Sequence, residues 1–135
     1  MQTRLLQGQH LSLNEQIELL SEFVMTIDHI PQILNEISKL PDAWLGAGVI
    51  FQNVWNVMHG FDVKNIARIH LWYEKRFGIP KAEYFSVQES VSTWPVIGAC
   101  MAMRIKNGRL EFIAPYGFQD MFSLRVRPNK VLVNR

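Results

Sequence analysis

The chain has 135 residues, 48% of them hydrophobic and 19% charged, which suits one folded core and excludes a disordered chain. Its formal charge of +2 does not by itself indicate a nucleic-acid partner. The single cysteine, Cys100, excludes an internal disulfide framework, and no apolar run approaches the ~18 residues of a membrane span.

The first 40 residues read as a helical part, and residues 41–135 as the core of a single domain. "MQTRLLQGQH" lacks the apolar centre of a secretory signal, so a cytoplasmic location is expected. Ser12 and Glu15 have the spacing of a capping box ahead of a helical stripe of Ile17, Leu20, Phe23, Val24 and Ile27. Pro31 suits the first turn of a second helix carrying Ile33, Leu34 and Ile37, closed by "KLPD".

Ala43 to Leu45 reads as a short buried strand. Gly46-Ala47-Gly48 forms the turn into a helix that ends near His59, where Gly60 supplies a stop. Phe61 to Lys64 is expected to be a second strand, with Asp62 and Lys64 on one face. Asn65 then caps a helix burying Ile66, Ile69, Trp72 and Tyr73, closed by Gly78. Ser86 and Glu89 repeat the capping-box spacing before a short helix that stops ahead of Pro95.

In "IGACMAMRI" small residues alternate with larger ones, as in a central strand with a helix close to its small face. Asn107-Gly108 predicts a type I′ hairpin joining "GACMAMRI" to "RLEFIAP", and "SLRVR" reads as a further strand stopped by Pro128. Helices first and a hairpin later give the α+β (mixed α/β) class, a small mixed sheet flanked by helices.

Several residues invite a chemical reading, each beside a structural one. Gly46 and Gly48 would let a phosphate approach backbone N–H groups at a helix N-terminus, or they would merely allow close packing. No Walker lysine follows them. Asp62 could ligate Mg²⁺ from a strand or be a surface carboxylate beside Lys64. Lys64, Asn65 and Arg68 could hold a triphosphate. His70 and Glu74 fit a solvated helix face, and two ligands make no metal site. Cys100 suits a buried position. Arg125, Arg127 and Lys130 could meet phosphate or RNA, or could protect a sheet edge.

Taken together, "LPDAWLGAGVIFQNVWNVMHG", "VKNIARIHLWYEKRFG" and "STWPVIGACMAMRIKNGRLEFIAPYGFQDMFSLRVRPN" resemble a group of bacterial nucleotidyltransferase family proteins. That group is itself similar to the polymerase-β-like nucleotidyltransferase superfamily. The resemblance implies a phosphate turn at Gly46 and Gly48 and nucleotide contacts from Lys64, Asn65 and Arg68. It further implies transfer of a nucleoside monophosphate from a Mg²⁺-bound NTP to an acceptor that the sequence does not name. Three carboxylates hold the metals in such enzymes, two of them as Asp-x-Asp on a strand. Asp62 matches the third as a remnant ligand, while Gly60 runs directly into Phe61 where the segment with the pair is expected, as after an internal deletion.

Three readings follow. The chain is a nucleotidyltransferase whose catalysis is weakened or lost, an active enzyme recruiting Asp42, Glu111 or Asp120, or a non-catalytic nucleotide-binding or interaction module. A sheet lacking one strand would also favour a homodimer.

Overall fold

The computed structural model describes residues 1–46, 48–63 and 86–131. The helix expected to start at Asn65, and with it His70 and Glu74, lies outside the described residues. Within them, helices α1 (Gln2–Leu6), α2 (Leu13–Val24) and α3 (Ile30–Ile37) lead to strand β1 (Leu45–Gly46) and helix α4 (Gly48–Met58). Helix α5 (Val87–Val91), a 3-10 turn at Ile97–Ala99, strands β2 (Ala102–Lys106) and β3 (Arg109–Ile113) and the short α6 (Gln119–Phe122) follow. None of these helices is long and apolar enough to cross a membrane.

The local signals for α2 and α3 act as expected. Ser12 Oγ accepts from the Glu15 N–H, and the Glu15 carboxylate accepts from the Ser12 N–H, so two otherwise unpaired donors are satisfied. Those bonds lower the Glu15 pKa, the backbone bond from Ser12 contributing most. Pro31 occupies the first turn of α3. Ser86 Oγ likewise accepts from the Glu89 N–H at the start of α5.

The sheet has the order β1-β2-β3, antiparallel throughout the described strands. Leu45 lies opposite Met103 and Gly46 opposite Ala102, and Arg104 faces Glu111 across β2 and β3. Asn107 and Gly108, with φ of 52° and 75°, turn the chain between the two strands. Both values are positive, as a type I′ turn requires, and these two residues accept them readily. The architecture is α+β with a C-terminal hairpin.

Strand alternation gives the sheet two unlike faces. Leu45, Met103, Ile105, Leu110 and Phe112 pack into the large core with Leu20, Phe23, Leu34, Ile50 and Val54 from the helices. The opposite face is covered by a smaller cluster of Val91, Cys100, Ala102, Trp44, Trp94 and Ile113.

Three expected strands differ from the structure. "IGACMAMRI" is not extended throughout: Ile97–Ala99 forms a 3-10 turn, and β2 begins at Ala102. Close packing still explains the small residue, since a Cβ at Gly98 would lie 3.3 Å from Asp120 Cβ. "SLRVR" forms no strand because it closes α6 instead. The Leu124 N–H bonds to Met121 O and the Arg125 N–H to Asp120 O, with Leu124 at φ 56°. That pattern is a Schellman closure, with leucine in the left-handed position that glycine usually takes. Phe61 to Val63 is also not a strand; all three residues are exposed, and Lys64 lies outside the described residues.

Candidate functional site

A strand and a helix flank the two glycines as expected, although the strand is Leu45–Gly46, half-buried, rather than Ala43 to Leu45; α4 begins at Gly48, and Ala47 lies outside the described residues. The two glycines serve different ends. Gly46 does not have positive φ, so backbone torsion does not require glycine there. A Cβ on Gly46 would come within 3.0 Å of the Trp94 ring, so Gly46 is a packing glycine. Around the same position on Gly48, nothing among the described residues lies within 4 Å. Among the described residues, Gly48 therefore leaves space open beside the N–H groups that begin α4.

Helix α4 is held firmly. Val49, Ile50, Val54 and Met58 are buried, and Trp55 Nε1 donates to Met121 O at 2.8 Å. The buried Asn53 amide donates to Val49 O, one turn back. At the far end the Phe61 N–H bonds to Asn56 O and the Gly60 N–H to Val57 O, with Gly60 at φ 79°. Gly60 thus terminates the helix in a second Schellman motif.

Asp62 follows that closure, at the end of α4 away from Gly48. Eleven helical residues separate the two ends by roughly 16 Å, so α4 itself does not bring Asp62 beside the turn. Asp62 is exposed and shares no metal-binding cluster among the described residues. Lys64, Asn65 and Arg68, the other nucleotide contacts expected from sequence, lie outside the described residues.

The three carboxylates considered as substitutes are engaged elsewhere. Glu111 Oε2 accepts from Arg104 Nε at 2.8 Å, and Asp42 Oδ1 lies 4.0 Å from Arg104 Nη1. Asp42 also accepts from Trp44 Nε1 at 3.1 Å, while the Arg104 guanidinium stacks 4.2 Å from the Trp44 ring centroid. This cluster sits two residues along β2 from Ala102, the partner of Gly46, towards the hairpin tip. Asp120 is buried on α6 and bonds Arg127 Nε at 2.7 Å. No described group of three histidines, cysteines or acids converges to hold a metal ion. The described residues therefore do not fit a two-magnesium centre, and the recruited-carboxylate reading finds no support among them.

Cys100 is buried; its thiol donates towards Trp94 O and Val96 O. Burial pushes its pKa up, which keeps it protonated and unreactive. Two features escaped the sequence reading. The Arg104–Glu111 pair follows from the hairpin register once Asn107-Gly108 is fixed at the tip. Trp94 behind Gly46 joins residues far apart in the chain, and no local pattern announces it.

A nucleotidyltransferase family profile matches residues 60–135, more than half of the chain. The chain belongs to that nucleotidyltransferase family. The matched stretch begins two residues after α4, so it takes in Asp62 but neither glycine of the turn. Among solved structures, the chain is similar to one described as revealing a CCA-adding enzyme head domain. The similarity has a TM-score of 0.63 at 21% identity and covers 86% of this chain and 80% of the other. At that identity it shows the fold alone, and it extends the likeness over the N-terminal half. No curated protein matches the chain.

Proposed function

We propose that this nucleotidyltransferase-family chain, acting as a single domain, retains a site for a nucleoside triphosphate and transfers nucleotides poorly or not at all. The observation that carries the second half is the spacing of its acids. The twelve carboxylates of the sequence include no two placed two residues apart. Carboxylates that are nearest neighbours on one face of a strand need that spacing. Asp62 stays as a single remnant ligand, and Mg²⁺ demands several oxygen ligands in near-octahedral order.

For binding, the open space at Gly48 supports phosphate approach to the start of α4, where N–H groups and the helix dipole favour an anion. Gly46 supports the turn indirectly, through the Trp94 ring behind it. Lys64, Asn65 and Arg68 supply the basic and amide groups, with Arg68 suited to bidentate phosphate contact. The acceptor is left unnamed, and the protein is read as cytoplasmic.

Calorimetric titration of ATP and GTP, with and without Mg²⁺, tests the binding half. The expected result is weak binding that falls further in Arg68→Ala and changes little when Mg²⁺ is withheld. Tight binding indifferent to Arg68→Ala would overturn the placement.

A further inference from the structure

Charge is segregated along the chain. Residues 1–63 carry two cations, Arg4 and Lys39, against seven carboxylates, whereas residues 101–135 carry seven cations against two. The overall charge conceals this asymmetry, which is a footprint of polyanion binding.

Part of the basic excess lies on a ridge whose backbone is hydrogen-bonded to its neighbours. After the Leu124 turn, the chain from Arg125 to Lys130 runs beside residues 95–97. The Arg125 N–H bonds to Asp120 O at 2.8 Å, and Arg127 O accepts from the Ile97 N–H at 3.0 Å. The Asn129 N–H bonds to Pro95 O at 2.7 Å. The buried Asp120 carboxylate holds Arg127, leaving Arg125 and Lys130 exposed with no carboxylate partner among the described residues. Beside them lies an aromatic ring. Tyr116 Oη and Asn129 Nδ2 both donate to Ser92 O, at 2.8 and 2.7 Å, which sets the exposed Tyr116 next to the ridge.

We infer that the ridge formed by Arg125, Lys130 and Tyr116 binds single-stranded nucleic acid, the cations meeting phosphates and the ring stacking on a base. Cations on a backbone-bonded segment next to a half-exposed aromatic ring are the arrangement that holds a single strand without reading its sequence. The backbone bonds order the main chain of the ridge in advance, so the ordering cost on binding falls on the side chains. The inference is independent of the nucleotide reading, because no ridge residue belongs to the Gly48 site.

The test is fluorescence anisotropy of a labelled single-stranded oligonucleotide of about 15 nucleotides titrated with the full chain. Binding is expected to weaken with salt, log K falling against log salt by about 0.7 for each phosphate contacted. Arg125→Ser combined with Lys130→Ser should lower affinity about tenfold and make the salt slope shallower by about 1.4. Tyr116→Leu should cost about fivefold, while Tyr116→Phe, which keeps the ring but loses the bond to Ser92 that places it, should cost less than Tyr116→Leu. The control pair Lys106→Ser with Arg109→Ser removes equal charge at the hairpin tip and should change little. No binding at about 50 mM salt would overturn the assignment. So would a control pair as damaging as the ridge pair, or an unaffected ridge pair. Capture by anionic phospholipid vesicles without oligonucleotide binding would assign the ridge to a membrane surface instead.

Discussion

The two faces of the three-stranded sheet are built to different rules. The face carrying Leu45, Met103 and Phe112 is covered by helices and is apolar without interruption. The other carries Trp44, Gly46, Ala102, Arg104 and Glu111, so a charged pair and a tight glycine contact share it with a small apolar cluster. The first face accounts for most of the packing energy. The second accounts for the position of the turn leading into α4, through one ring against one glycine. Stability and site geometry therefore separate across the sheet, and substitutions on the two faces should separate in the same way.

The largest expected effect is on the helix-covered face. Met103 is fully buried, and Met103→Ala should cost about 2–5 kcal/mol by denaturant unfolding, from lost burial plus a residual cavity. On the other face Arg104 is half-exposed, and Arg104→Ala should cost about 1 kcal/mol or less. Equal losses would remove the distinction between the faces.

Next comes the pair of glycines. Gly46→Ala should destabilise by about 1–3 kcal/mol, because its methyl meets the Trp94 ring. It should also shift tryptophan fluorescence. Gly48→Ala meets nothing among the described residues and should change stability by about 0.4–1 kcal/mol in the stabilising direction, through loss of unfolded-state freedom. If both substitutions behaved alike, Gly46 would not be a packing glycine.

A smaller effect lies beyond the sheet, where Leu124 occupies the left-handed closure of α6. Leu124→Gly should stabilise by about 1 kcal/mol, since glycine takes that torsion without the clash of a Cβ. Smallest is the capping box of α2. Ser12→Ala should cost about 0.5–1 kcal/mol. The bonds to Glu15 lower its folded-state pKa, so their contribution is present above the ordinary glutamate range and is lost as pH falls through the lowered value. On acidification below the ordinary glutamate pKa the parent should lose the contribution of the Glu15 carboxylate, and a Glu15→Gln variant should show no such loss.

What was legible in the sequence was local. Ser12 with Glu15, Pro31, Gly60 and Asn107-Gly108 each fix a few backbone torsions or satisfy a few orphan donors, and each acts as its residue type demands. The strands misread from alternation failed for a shared reason. "SLRVR" alternates as a strand does, yet the unsatisfied carbonyls of α6 take its first N–H groups. "IGACMAMRI" begins with residues small enough for a strand or a tight turn, and contact with α6 selects the turn. At the candidate site the residue types of the turn were legible, and the division of labour between Gly46 and Gly48 was not. It depends on Trp94, which sits 48 positions from Gly46 in sequence and against it in space. The opposed pull on Arg104 from Asp42 and Glu111 was hidden in the same way, since Asp42 reaches Arg104 only through strand pairing.

The proposed parting of nucleotide binding from nucleotide transfer is decided by pyrophosphate release. The protein is incubated with each NTP and Mg²⁺ or Mn²⁺, alongside RNA, protein and small-molecule acceptors, with Asp62→Ala as reference. Release should be indistinguishable between the parent and Asp62→Ala, even at NTP concentrations that calorimetry shows to occupy the site. Sustained release by the parent that disappears in Asp62→Ala would contradict it, and would make Asp62 part of a working metal centre.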